Sequence, residues 1–125
     1  MDFAVLALDH AADSVVASGG PLTPFSLVEE SDEDHRQLTR HVCDTLEEGL
    51  AQARRKVREG VDIRQAAIAW DGYLTLDGLR TDAVFVQATN AGSSESIILA
   101  QRYMAGKKVR RVGAIVLAGR AEPLF

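Results

Sequence analysis

The chain has 125 residues, of which 46% are hydrophobic and 26% are charged, and its formal net charge is -4. This composition is typical of a globular protein and excludes the disordered and fibrous classes. The length suits one ordinary folding unit and is too short for two, so we expect residues 1–125 to form a single domain.

The sequence also predicts a location. Its one cysteine, Cys43, has no partner for an internal disulfide, which favours a reducing compartment. The apolar run at residues 3–8 follows Asp2, where an export signal would carry basic residues. No stretch reaches the roughly 18 consecutive apolar residues of a membrane span. We therefore expect a cytoplasmic protein with no membrane contact.

The N-terminal stretch predicts a helix. Asp2 is a suitable N-cap because its carboxylate can accept a hydrogen bond from an unpaired amide of the first turn. The helix is expected to extend to about Ala17. Gly19, Gly20 and Pro21 then end it, since glycine adopts the left-handed conformation at helix ends and proline cannot continue the hydrogen-bond ladder.

The stretch between residues 25 and 42 leaves two interpretations open. Residues 25–29 are rich in strand-forming side chains and follow Pro21 and Pro24, so they predict a short edge strand. The acidic run at residues 29–34 predicts a solvated turn. Residues 36–42 are then either the second arm of a hairpin or the start of a helix.

A second helix is predicted from residue 44 or 45. Either Asp44 or Thr45 can cap it, because an acidic residue stands three positions after each and completes a capping box. The basic run at residues 54–58 complements the negative end of the helix dipole, and Gly60 closes the helix. The apolar face has spacings of three and four and consists of Val42, Leu46, Leu50, Ala53 and Val57.

The second half of the chain predicts four strands, at residues 66–76, 79–89, 96–104 and 110–118. We interpret them as a four-stranded antiparallel meander. Asp77 and Gly78 join the first two strands, and both tolerate the positive φ that a type I′ turn requires. The predicted fold is α+β: an N-terminal helix, a short strand or hairpin, a second helix, then the meander.

The two-residue turn also predicts the register of the first hairpin. Leu76 lies opposite Leu79, and counting outward places Trp70 opposite Phe85 and Tyr73 opposite Asp82, unless a bulge at Gly72 shifts the phase. Both faces of this hairpin are then apolar. One face carries Ile68, Trp70, Leu74, Leu76, Leu79 and Phe85, and the other carries Ala67, Ala69, Val84, Val86 and Ala88.

Both faces of such a sheet must be covered. The two helices of one chain could do this, or a second copy of the chain could cover part of one face. We favour the second arrangement, because two short helices are few against about six strands, and we expect a homodimer.

Metal-capable side chains gather at His35, His41, Cys43 and Asp44, but their spacing matches paired zinc ligands poorly, so no metal site is predicted. The basic runs at residues 54–58 and 107–111 could contact nucleic acid. The acidic pI of about 5.3 and the few aromatic residues argue against that partner.

An enzyme remains the alternative. Asp71, Asp77 and Asp82 lie in one hairpin, and paired carboxylates can hold a divalent cation or share acid and base roles. Asp71 and Asp82 with His35 or His41 would make a small metal-dependent hydrolase or nuclease-like enzyme. Asp77 is already explained by its turn.

We therefore predict a non-enzymatic homodimer that binds another protein or a small ligand and needs no cofactor. The candidate interface or binding residues are Trp70, Tyr73, Phe85 and Tyr103. The order of elements is similar in architecture to roadblock-type and secretion-chaperone-type modules. No motif identifies a family, so this resemblance implies no function.

Overall fold

A computed structural model describes residues 2–31 and 36–125. The described residues form two helices and six strands, so the α+β prediction is confirmed. The strands make one antiparallel sheet in the order β2-β1-β3-β4-β5-β6. In chain order the elements are α1 (Asp2–Ser18), β1 (Phe25–Glu30), β2 (Arg36–Arg40), α2 (Leu46–Arg58), β3 (Ile63–Leu76), β4 (Leu79–Asn90), β5 (Ser96–Met104) and β6 (Arg110–Ala121).

The prediction of a four-stranded meander is wrong in detail. Strands β3 to β6 do follow one another, but the hairpin of β1 and β2 joins the same sheet through β1 and β3, which gives six strands. β1 is therefore an interior strand, where an edge strand was predicted. The reason is that both of its faces are apolar enough to be buried, whereas β2 is short and exposed and takes the edge.

The acidic run after β1 is only partly a solvated turn. Glu29 is 6% exposed and forms salt bridges with Arg36 and Arg64, because β2 and the start of β3 bring these two guanidinium groups beside it. Residues 32–34 of this run lie outside the described residues. Residues 36–40 form the hairpin arm, which resolves the choice between strand and helix.

The turn between β3 and β4 follows the sequence prediction. Asp77 has a φ of 51° and Gly78 a φ of 78°, the two positive values of a type I′ turn. Trp70 lies opposite Phe85 and Tyr73 opposite Asp82. The register runs without a shift past Gly72, so the alternative of a bulge there does not apply. Register shifts occur instead between β1 and β3, at Glu29 and Glu30, and between β5 and β6.

Capping hydrogen bonds are found at the start of α2 and at the end of α1. The amide of Glu48 donates to Thr45 Oγ1 (3.1 Å), which selects Thr45 over Asp44 as the N-cap of α2. Gly19 follows α1 with a φ of 88°, and its amide donates to the Val15 carbonyl (2.8 Å). In the described ranges no helix is long and apolar enough to cross a membrane.

The two faces of the sheet are covered unequally. α1 packs across β3, β4 and β5 on one face, called here the α1 face. α2 packs on β1 and β3 of the opposite face, the α2 face, so β4, β5 and β6 receive no helix there. The α1 core includes Leu8, Ala11, Val15, Phe25, Val84, Val86 and Leu99. The smaller α2 core consists of Val28, Ala53, Val57, Ile63, Ala66, Ile68 and Leu124.

Candidate functional site

The four predicted binding residues do not form one site. Trp70 and Phe85 lie on the α2 face, where their rings stack with centroids 5.7 Å apart. Tyr73 and Tyr103 lie on the opposite side, since Tyr103 belongs to the α1 core and Tyr73 alternates with Trp70 along β3. Tyr73 is 62% exposed, and the guanidinium of Arg80 lies 4.0 Å from its ring centroid.

Asp71 is the centre of a polar cluster beneath the end of α1. Its carboxylate accepts hydrogen bonds from the hydroxyl of Tyr103 (2.8 and 3.0 Å) and from the amide of Leu22 (2.7 Å). Burial raises the pKa of Asp71, and the nearby charge of Asp82 adds to that, while the two donors oppose it. The cluster ties the segment after α1 to β3 and β5. The Tyr103 hydroxyl and the Leu22 amide donate, and the Asp71 carboxylate accepts both hydrogen bonds.

The residues of the enzyme hypothesis are separated by the sheet. Asp71 and Asp82 share the α1 face, and Asp82 lines a pocket of about 360 Å³ with Tyr73 and Tyr103. His41 is bonded to Ser26 beneath the α2 side, and His35 lies outside the described residues. Within residues 2–31 and 36–125, no group of three or more His, Cys, Asp or Glu side chains could hold a metal ion.

His41 and Ser26 form a buried pair. The histidine Nε2 lies 2.9 Å from Ser26 Oγ, and the two residues are 6% and 1% exposed. Burial lowers the pKa of His41, with a smaller contribution from the charge of Lys56, while a hydrogen bond with Gln52 opposes the shift. Neither Ser26 nor His41 lines the pocket beside Arg54, the pocket beside Asp82 or the pocket beside His10. The pair therefore reads as a structural contact that joins β1 to the segment before α2.

A second buried polar network holds the C-terminal tail on the α2 face. Gln87 donates to Ser96 Oγ (3.0 Å) and to the carbonyl of Glu122 (3.1 Å). Thr89 Oγ1 donates to Ser96 Oγ (2.9 Å) and accepts from the amide of Leu124 (3.1 Å). The tail is thus fixed through its main chain and Leu124, and Phe125 stays 39% exposed. Leu124 is the side chain of the tail that packs into the α2 core.

A pocket of about 370 Å³ lies between α2 and this tail. Arg54 and Arg58, one turn apart on α2, form one wall, and Trp70 and Ile98 form the base. The guanidinium of Arg54 donates to Gln87 Oε1 (3.0 Å) and lies 5.9 Å from the Trp70 ring centroid. Burial lowers the pKa of Arg54, and the neighbouring charge of Arg58 lowers it further.

The sheet edge formed by β6 exposes apolar side chains. β6 pairs with β5, and no other described strand pairs with its outer side. Leu117 is 54% exposed and Ile115 is 36% exposed, and both lie on the α1 face, since Leu117 is opposite Leu99. From Val112 to Gly119 the strand has no polar side chain.

The sequence analysis identified neither the pocket between α2 and the tail nor the exposed edge at β6. Arg54 was assigned to the helix dipole, although its position on the inner side of α2 aims it at Trp70. Gln87 was not identified either, although a polar side chain within an apolar strand indicates that it has a hydrogen-bond partner. The edge position of β6 could not be predicted, because strand order depends on pairings distant in sequence.

Comparison with known proteins adds no identification. No protein-family model matches the chain, no curated protein is significantly similar to it, and no solved structure matches its fold significantly. The function is therefore argued from the geometry alone.

Proposed function

We propose that this protein is a non-enzymatic homodimeric binding module whose subunits associate through β6. The observation that carries the proposal is the contrast between the two edges of the sheet. β2 is five residues long and bears Arg36 and Arg40 at its ends, which protects that edge from further pairing. β6 is twelve residues long, and its central residues are apolar and exposed.

Antiparallel pairing of two β6 strands suits their residues. With the two-fold axis at Val116, Ile115 of one subunit lies opposite Leu117 of the partner subunit, and the reverse pair forms on the other side. These side chains would extend the α1 core across the contact through Leu99.

The energetic reason for this contact is twofold. Pairing satisfies the unpaired main-chain groups on the outer side of β6. It also removes Ile115 and Leu117 of each subunit, four aliphatic side chains in all, from water. The two six-stranded sheets would then form one continuous sheet of twelve strands. A monomer with the same edge would instead accept an extended segment of another protein, which is the outcome to distinguish from self-association.

Light scattering with size-exclusion chromatography tests the proposal. The expected mass is that of two chains, and Leu117→Lys should reduce it to one chain while circular dichroism remains that of the wild type. Gln37→Lys places the same charge on the exposed β2 edge and should leave the dimer intact. A wild-type protein that is monomeric at every concentration, or a dimer that Leu117→Lys does not weaken, would refute association through β6.

Disulfide trapping tests the register. Val116→Cys in a Cys43→Ser background should give a covalent dimer on oxidation, because Val116 faces its own copy across the axis. Ala114→Cys in the same background is the matched control, since its position is far from its own copy in this register. Efficient trapping of Ala114→Cys and not of Val116→Cys would show that the register is wrong.

A further inference from the structure

We propose that the pocket between α2 and the C-terminal tail binds a small organic anion, with one carboxylate or phosphate group on a flat apolar body. The pocket is formed by Arg54, Arg58, Trp70, Ile98 and the tail residues from 121 to 124. Its volume of about 370 Å³ is in the range of small-molecule sites. It lies on the α2 face of a single subunit, so it is present whether or not two subunits associate through β6.

The positive charge of the pocket favours an anionic ligand. Arg54 and Arg58 are adjacent on one face of α2, and within residues 2–31 and 36–125 neither forms a salt bridge. Two like charges this close repel each other, which is one of the causes that lower the pKa of Arg54. A bound carboxylate or phosphate would remove that repulsion and accept paired hydrogen bonds from a guanidinium.

Arg54 is also held in position before any ligand arrives. Its partner Gln87 is 4% exposed, and the amide nitrogen of Gln87 is occupied by Ser96 and the Glu122 carbonyl. The side-chain oxygen of Gln87 is therefore directed at Arg54 (3.0 Å). Only one terminal nitrogen of the guanidinium is used in this bond, so the remaining donors are available to an anion. A site whose polar group is fixed in advance loses less entropy on binding.

The apolar part of the pocket predicts the body of the ligand. Trp70 lines the pocket, and its ring lies nearly parallel to that of Phe85, with 8° between the ring planes. Ile98 and Leu124 also line the pocket. A planar group can lie against these side chains while its acidic group reaches the arginines.

Glu122 limits the charge that the ligand can carry. It lines the rim with an exposed side chain, and its contacts within the network are made by the main-chain carbonyl. Its carboxylate would repel a second negative group placed toward the tail. A ligand with its charge at one end is therefore favoured over a polyanion.

The experiment uses the one tryptophan of the chain, Trp70, which gives a single indole N–H signal in a ¹H–¹⁵N spectrum. Titration with 1-naphthoate and with 1-naphthyl phosphate should move this signal saturably for at least one of the two, which also identifies the acidic group. The neutral 1-naphthalenemethanol should bind at least about tenfold more weakly, since a charge-assisted hydrogen bond contributes roughly 1.5–3 kcal/mol.

Variants of α2 locate the binding. The Arg54→Gln and Arg58→Gln substitutions should each lower the affinity for the naphthyl anion by about tenfold or more. Arg58→Gln is the safer test because Arg58 takes part in none of the side-chain hydrogen bonds seen within the described residues. Arg55→Gln removes the same charge from the exposed side of α2 and should change nothing.

The proposal would be overturned by the absence of saturable binding for both anions, by equal affinity for the neutral naphthyl compound, or by an equal loss of affinity with Arg55→Gln. Inorganic phosphate that binds as tightly as naphthyl phosphate would also overturn it, because the apolar body would then contribute nothing.

Discussion

Tyr103 donates its hydroxyl to Asp71 across the α1 face, 2.8 Å from Oδ2 and 3.0 Å from Oδ1. The same carboxylate accepts the amide of Leu22, in the segment that follows α1. Residues from β3, β5 and the loop after α1 are thus joined at one half-buried carboxylate. This arrangement accounts for a carboxylate that sequence reasoning had considered as part of a catalytic set.

Tyr103→Phe should destabilise the protein by about 1–3 kcal/mol, because it leaves a half-buried carboxylate with one donor fewer. The pKa of Asp71, already raised by burial, should rise further. The loss of stability should therefore be smaller at a pH low enough to protonate Asp71 than at pH 7. Urea unfolding of both proteins at the two pH values measures this.

Tyr73→Phe is the control for that experiment. Tyr73 is 62% exposed and its hydroxyl makes no hydrogen bond within the described ranges, so its free energy of unfolding should stay close to that of the wild type. An equal effect of the two substitutions would contradict the role given to the Asp71 bond.

His41 predicts a loss of stability in mild acid. Burial lowers its pKa in the folded protein, so between that value and the unfolded value of about 6.5 only the unfolded chain binds the proton. Stability should be complete above about pH 6.5 and fall as the pH drops below it. In urea unfolding from pH 7.5 to 5, His41→Asn should show a shallower dependence than the wild type, whereas the exposed His10→Asn should keep the wild-type dependence.

Glu29 predicts a separate loss of stability in stronger acid. Burial alone would raise its pKa, but the hydrogen bond from Gln65 and the charges of Arg64 and Arg36 together lower it. The stabilisation is therefore present above the ordinary value near 4.5 and is lost as the pH falls through the lower folded value. Glu29→Gln should destabilise the protein at pH 7 and differ less from the wild type at pH 3.

Glu30→Gln, at the next position of β1, is the control for Glu29. It should leave the free energy of unfolding nearly unchanged at pH 7, because Glu30 takes part in none of the salt bridges of the described residues. A Glu29→Gln protein as stable as Glu30→Gln at pH 7 would remove the support for this buried network.

Gly113 and Gly119 form a matched pair on β6. Gly113 has a φ of 72°, a backbone conformation that residues with a Cβ rarely adopt, and a Cβ there would also displace the end of the flexible Arg102 side chain, whereas a Cβ at Gly119 would meet nothing within 4 Å. Gly113→Ala should therefore destabilise the protein by roughly 1–2 kcal/mol or more. Gly119→Ala should be neutral or slightly stabilising. Thermal unfolding of the two variants compares them, and equal melting temperatures would contradict the strain assigned to Gly113.

The bulge at Gly113 explains why the register of β6 was beyond sequence analysis. The side chain of Gln101 donates to the carbonyls of Val112 (3.1 Å) and Gly113 (3.2 Å), so a residue of β5 satisfies main-chain groups that the ladder leaves free. Nothing in the local sequence around Gly113 indicates that partner. By contrast, the hairpin of β3 and β4 could be predicted in register, since Asp77 and Gly78 alone determine the turn.

The local sequence predicts the local structure: the start of α2 at Asp44 or Thr45, the end of α1 at Gly19, the type I′ turn and the alternation that assigns Trp70 and Val84 to opposite faces. These features depend on residues a few positions apart. Three other features are evident only in the folded chain: β1 lies inside the sheet, Gln87 holds the tail, and Arg54 contacts Trp70. Those outcomes depend on which distant segments bury one another, and many segments of this chain are apolar enough to compete for the same place.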